Sequence, residues 1–77
     1  MQPTTSNNSA HVQQQTTLIR RREVERLTAL SRSRIYHLMK QGDFPKPVQL
    51  GTMSVAWLET EVREWIAHRI ADSRKIA

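Results

Sequence analysis

The 77 residues include no cysteine, only two glycines and three prolines, and just two tryptophans, one tyrosine and one phenylalanine. Without cysteine there is neither a disulfide framework nor a thiolate zinc site, and a reducing compartment such as the bacterial cytoplasm is the expected setting. The first 17 residues, MQPTTSNNSAHVQQQTT, lack Asp, Glu, Lys and Arg, and their only aliphatic side chains are Met1, Ala10 and Val12. Such a stretch cannot bury enough apolar surface to offset its ordering entropy, so residues 1–17 are expected to form a disordered tail. It is no export signal, which needs a charged n-region followed by an apolar run. No part of the chain approaches the roughly 20 apolar residues of a membrane span, so no membrane partner is expected.

What is left is one small domain, Leu18 onward. A domain of about 60 residues buries only roughly 60% of its unfolded surface and has little interior to spare. An enclosed pocket of a few hundred Å³ would be hard to house, so no small-molecule ligand or cofactor is expected. Charge is what the chain does have. The formal net charge is +5, and it is not evenly spread. Residues 18–50 hold eight bases (Arg20, Arg21, Arg22, Arg26, Arg32, Arg34, Lys40, Lys46) against three acids (Glu23, Glu25, Asp43), whereas residues 51–77 hold four of each. A localised positive field points to a polyanionic partner rather than to solubility alone.

The segment "LIRRREVERLTALS" opens with Leu18-Ile19, a short apolar pair suited to one strand. Val24 and Leu27 at i, i+3 then predict a short helix, about Arg22 to Thr28, without a good N-cap residue before it. Thr28-Ala29-Leu30 forms the expected turn, and Ser31 is placed to cap a second helix running to about Gln41. Gly42 tolerates the left-handed conformation that ends a helix, and Pro45 prevents resumption. Short helix, tight turn, longer helix is the helix-turn-helix pattern.

In the second helix Ile35, Leu38 and Met39 share a buried stripe. Ser33, Tyr36, His37 and Lys40 lie opposite, with Arg32 and Arg34 on the flanks, and no acid occurs before Asp43. This face has the chemistry to enter a DNA major groove: Arg pairs bidentately with guanine O6 and N7, Ser, Tyr and His reach base edges or phosphates, and Lys supplies a point charge. Arg32, Ser33, Arg34, Tyr36 and His37 are the candidates for reading bases, because residues early in a recognition helix usually do so. Lys40, Lys46, Arg22 and Thr52 are the candidates for backbone contacts. The Arg20-Arg21-Arg22 run places cations at a helix start, where the macrodipole disfavours them unless phosphate lies nearby.

"KPVQLGTMSVAW" alternates. A type II′ turn at Gly51-Thr52 would pair Leu50 with Met53 and Val48 with Val55, placing every apolar residue through Trp57 on one face and Gln49, Ser54 and Ala56 on the other. A hairpin there would be a wing. "LETEVREWIAHRIADSRKIA" returns to helical spacing at Leu58, Val62, Trp65, Ile66 and Ile70, with Glu59 and Glu61 near the positive end and His68 and Arg69 near the negative end. The expected fold is mostly α with a small β-hairpin, a winged helix-turn-helix over residues 18–71, and residues 72–77 are expected to fray.

With these elements in place the sequence resembles the AlpA family of small phage- and prophage-encoded regulators, whose winged helix-turn-helix is akin to those of MerR-type regulators and phage excisionases. The resemblance runs from about Leu18 to Ile70 and is carried by "LTALSRSRIYHLMKQGDFPKPVQLG", then "VAW", then "LETEVREW". It implies sequence-specific binding to double-stranded DNA, used either to activate prophage genes or to direct excision, with RNA polymerase or integrase as the respective protein partner. Two departures separate the chain from the family pattern, one in the wing motif G-x-R-x-V-x-W and one in the frequent recognition-helix residues. Met53 stands where a wing arginine is usual, so a wing-tip phosphate contact is not expected, and Arg34 and His37 replace the frequent Thr and Arg.

Other chemistries find little support. His11, His37 and His68 lack the close pairing of a metal site. Ser31 or Ser33 with His37 has neither an oxyanion-hole loop nor a pocket, so no catalytic residue is expected. A protein-binding module that turns the basic face toward an acidic partner is the alternative from another class. A single small domain offers a small interface, so tight site-specific binding is expected to need neighbouring copies on repeated sites or a partner.

Overall fold

The computed structural model describes residues 16–76. Their elements run β1 (Leu18–Ile19), α1 (Arg21–Thr28), α2 (Arg32–Lys40), β2 (Val48–Gly51), β3 (Ser54–Leu58) and α3 (Glu59–Ile76). The strands form one antiparallel sheet in the order β1-β3-β2. This is a winged helix-turn-helix, with β2 and β3 as the wing. The expected tail lies outside the described residues except for Thr16 and Thr17, and His11 lies outside them as well.

Helix α1 starts at Arg21, one residue earlier than the periodicity predicts, and Arg20 caps it without a side-chain hydrogen bond. The Arg20 carbonyl accepts from the amides of Glu23 and Val24, both at 3.0 Å. Its other end is tightly specified. Ala29 adopts a left-handed conformation with φ 62°, and its amide donates to Glu25 O at 2.8 Å. Thr28 Oγ1 donates to Val24 O at 2.8 Å and accepts from Leu30 N at 3.2 Å, so one hydroxyl joins the last turn of α1 to the link that follows.

Helix α2 is capped as its sequence predicts. Ser31 Oγ accepts from Arg34 N at 3.2 Å, which satisfies one of the amides that a helix start leaves unpaired. At the other end Gly42 has φ +79°; its amide donates to Met39 O at 3.0 Å, and Asp43 N donates to Leu38 O at 2.8 Å. That pair of bonds is a Schellman termination, and it needs the left-handed residue that glycine provides without strain.

The hairpin corrects the expected register by one residue. Val48 faces Ala56, Gln49 faces Val55 and Gly51 faces Ser54, with Leu50 as an extra, bulged residue. The turn is therefore Thr52-Met53, not Gly51-Thr52, and Gly51 is not among the positive-φ residues that a type II′ turn would require. Directly opposed side chains share a face of the sheet, so Val48 lies with Ala56, Leu18 and Leu58, while Gln49 lies with Val55, Ile19 and Trp57. Strand β1 pairs Ile19 with Trp57, which commits that face of β3 to the core in either register; the difference lies in the bulge at Leu50, which absorbs the residue that simple alternation would have aligned. Val48 and Leu50 are consequently exposed, and Met53 is not on an apolar face at all: it projects from the tip, 94% exposed.

The core is built from Val24 of α1, Ile35 and Leu38 of α2, Phe44, Trp57 of β3 and Val62 of α3, with Ile19, Leu27, Leu30, Met39, Val55, Trp65 and Ile66 packed around them. Helix α3 extends to Ile76, and its apolar spacing meets the core only as far as Ile66; Ile70 is exposed. Phe44 completes this core from the α2–β2 link, just ahead of Pro45. Its ring meets Trp65 edge-on with centroids 4.9 Å apart. The two indoles hold the same link by its backbone: Trp65 Nε1 donates to Asp43 O at 2.6 Å and Trp57 Nε1 to Pro45 O at 3.1 Å.

Candidate nucleic-acid interface

Helix α2 turns two chemically distinct faces in opposite directions. Ile35 and Leu38 are buried, and Arg32, Ser33, Arg34, Tyr36, His37 and Lys40 are all exposed. The 100° step per residue produces this separation, and the apolar side is anchored against Trp57 and Val24 within the core. Tyr36 sits at the border: 39% exposed, its ring meets Trp57 edge-on at 6.5 Å, and the Arg32 guanidinium lies 5.9 Å from its centroid. The ring thus packs on the core edge while its polar end faces outward. Ser33 Oγ lies 3.4 Å from the capping Ser31 Oγ, which ties its hydroxyl to the start of the helix.

The electrostatics set α2 apart more sharply than exposure does. The ion pairs among the described residues are Arg21–Glu25, Arg26–Glu23 and Arg63–Glu59. The Arg26 guanidinium donates from Nε to Glu23 Oε1 at 2.9 Å, and that hydrogen bond holds the Glu23 carboxyl below its ordinary range while raising Arg26. None of these pairs involves α2. Arg34, His37 and Lys40 on α2, Arg22 on α1 and Lys46 in the link have no carboxylate partner among the described residues. A cluster of cations without internal counter-charge keeps its field available to an external anion.

The arginine run at the start of α1 divides. Arg20 Nη1 donates to Ser54 Oγ at 2.9 Å and to Val55 O at 3.1 Å, Arg21 pairs with Glu25, and Arg22 has neither an ion pair nor a hydrogen bond to the wing. The contact from Arg20 to the wing was not legible in the sequence, because 34 residues separate its partners. Thr52 lies in the exposed wing turn beside Met53, and its carbonyl accepts from Gln49 Nε2 at 3.4 Å. Lys46 is exposed in the link that both tryptophans brace. The structure therefore leaves Ser33, Tyr36, His37 and Lys40 exposed on the outer side of α2 with Arg32 and Arg34 on its flanks, and puts Arg22, Lys46 and Thr52 on three other elements.

Among the described residues no group of three His, Cys, Asp or Glu side chains could hold a metal ion, and no helix is long and apolar enough to cross a membrane. An open groove of about 650 Å³ runs between the link and α3, lined by Asp43, Phe44, Lys46, Glu61, Glu64 and Trp65 among others. Its mixed charge contrasts with the uniformly basic and polar outer face of α2.

A helix-turn-helix with a braced wing defines the class of protein. Comparison with known proteins gives the family. Residues 17–70 match the family of the prophage CP4-57 regulatory protein (AlpA), and the chain belongs to that family of phage-type regulatory proteins. A relative in Enterobacteria phage P4, the uncharacterised protein ORF88, is 51% identical over 53 residues, which cover 69% of this chain and 60% of that protein. The chain thus spans about three-fifths of the length of the curated relative it matches.

Proposed function

We propose that this chain is a sequence-specific DNA-binding regulator that inserts α2 in the major groove of double-stranded DNA and sets its wing against the backbone. The observation that carries this reading is the outer face of α2, where Arg32, Arg34, His37 and Lys40 stand with Ser33 and Tyr36 and no α2 side chain enters an ion pair among the described residues. Membership of a phage regulatory family supports it. In this reading Arg32, Ser33, Arg34, Tyr36 and His37 read base edges, and Lys40, Lys46, Arg22 and Thr52 meet phosphates or sugars. Transcriptional regulation of phage or prophage genes is the biological role it fits, with RNA polymerase as protein partner.

The test is a salt titration of binding to duplex DNA. The three cations placed on phosphates (Arg22, Lys40, Lys46), each neutralising one, give a slope of log K against log[salt] of about −3. A slope near zero would remove the proposal. Retention of a protein partner in the presence of excess salmon-sperm DNA would favour a protein-binding module instead. Stimulation of integrase-dependent excision, with no effect on a promoter in the absence of integrase, would reassign the role to an excision factor.

A further inference from the structure

The wing is unlike the basic segment that precedes it. From Pro47 to Leu58 it contains no charged residue, although the chain carries a net charge of +5. Beside the Thr52 hydroxyl, the tip of this uncharged hairpin presents a bare thioether. Met53 is 94% exposed, more than any other large apolar side chain among the described residues. Nothing in the fold uses it: it packs on no core residue, and it occupies the second position of the turn between β2 and β3.

The tip that carries Met53 is braced from both sides. On the β2 side, Gln49 Nε2 donates to Gly51 O at 2.5 Å and to Thr52 O at 3.4 Å. On the β3 side, Arg20 reaches in from the segment before α1 and donates from one nitrogen to both Ser54 Oγ and Val55 O. That bonding occupies Arg20 Nη1 and leaves its other donors uncommitted. An apolar side chain at the end of a braced hairpin, with a guanidinium anchored at its base, is the pairing that suits a DNA minor groove. The groove is only about 6 Å wide, narrow enough to exclude a helix but not a hairpin tip. Its concentrated negative potential attracts arginine, and apolar side chains entering between base steps unstack and kink the duplex.

We propose that Met53 is an apolar wedge that enters the minor groove beside the site of α2, with Arg20 held at the groove mouth, so that the wing deforms DNA as well as lying against its backbone. This rests on the DNA-binding reading above and adds a residue-level contact to it. A thioether suits the task because it is flexible, polarisable and cheap to desolvate.

The experiment uses the full chain and an end-labelled duplex recovered from a random pool with the wild-type protein. Affinity, salt slope and end-to-end energy transfer are measured for wild type, Met53→Ala and Met53→Arg, with netropsin as a minor-groove competitor. The side chain is solvent-exposed, so both variants are expected to fold, and circular dichroism checks this. Expected results for Met53→Ala are an affinity loss of about tenfold, an unchanged salt slope, and energy transfer returned to that of the free duplex. Met53→Arg should steepen the salt slope by about one without restoring the bend. Netropsin should weaken wild type more than Met53→Ala. If Met53→Ala binds and bends the duplex as wild type does, while wild type keeps its steep salt slope, the wedge is wrong and the DNA-binding reading stands. If wild type itself shows no salt-dependent binding, the underlying reading fails first. A Met53→Ala effect confined to binding of two copies on tandem sites would make the tip a protein contact and overturn the proposal.

Discussion

Helices α1 and α2 are close in length, eight and nine residues, and both are rich in basic side chains, yet they have opposite electrostatic characters. Two of the three arginines of α1 are matched within the helix, Arg21 by Glu25 one turn on and Arg26 by Glu23 one turn back. Helix α2 has two arginines, a histidine and a lysine, and no acid. Intrahelical pairs of this kind add only a few tenths of a kcal/mol to helix stability, but they cancel the long-range field of the helix that carries them. A count of Arg and Lys alone would rank the two helices alike, at three each. The placement of the carboxylates makes one a structural support and leaves the other as the surface with an outstanding claim on an anion.

The first way to sharpen this comparison concerns what the two helices share, an apolar anchor. Ile35→Ala should destabilise the domain by about 2–5 kcal/mol, since it empties a fully buried site that the surrounding side chains cannot refill. Val24→Ala in α1 should cost less because fewer methyl groups are removed. Urea denaturation of both variants checks this, and a loss for Ile35→Ala within the noise would mean that α2 is not anchored as described.

The next effect separates the helices. Arg34→Ala should weaken binding to a selected duplex by about 1–3 kcal/mol, the cost of losing a bidentate base contact. Arg26→Ala, whose guanidinium is already engaged by Glu23, should leave affinity unchanged. Fluorescence anisotropy titrations on the selected and a scrambled duplex measure both. Equal losses for the two variants would break the distinction, and an equal Arg34→Ala loss on both duplexes would make Arg34 a phosphate contact.

Smaller still is the effect expected in the turn between them. Ala29 holds φ at 62°, a conformation that costs a side chain about 1–2 kcal/mol and glycine nothing. Part of that gain is lost to the greater freedom of glycine in the unfolded chain, so Ala29→Gly should raise stability by about 0.5–1 kcal/mol. Thermal unfolding reads it directly, and a lowered Tm would show that the turn is not strained.

The smallest effect is pH-linked. The hydrogen bond from Arg26 holds Glu23 below its ordinary value of 4.5 in the folded protein, so the pair's contribution is present above that pH and disappears as pH falls through the folded carboxyl's own value. Glu23→Gln should therefore flatten the acid limb of the stability curve slightly, and the access of solvent to both side chains keeps the change small. An acid limb identical to that of wild type would mean that the pair has no energetic weight.

Local signals make much of this molecule legible in its sequence. The Ser31 cap, the Gly42 stop and the opposition of Ile35 and Leu38 to the basic face all depend on neighbours within one or two helical turns, so the α2 surface can be named residue by residue. The hairpin cannot be read in the same way. Its strict alternation has a self-consistent solution at Gly51-Thr52, and nothing in the local pattern announces the bulge at Leu50 that moves the turn to Thr52-Met53. Phe44 is equally opaque: one aromatic beside a proline has no period, and its burial depends on a tryptophan far along the chain. Helix α3 also runs beyond the reach of its apolar spacing, because no packing partner is needed to continue a helix already nucleated.

The carbonyls of Asp43 and Pro45, each seized by an indole, have a mechanical meaning. Two hydrogen bonds and the Phe44 plug leave the connection from α2 to the hairpin no hinge. The two elements behave as the jaws of a fixed caliper: any surface touched by both must offer its features at one set separation, and inserting even a single base pair between those features should defeat simultaneous engagement. New targets would then come from exchanging side chains on the jaws, with their spacing left untouched.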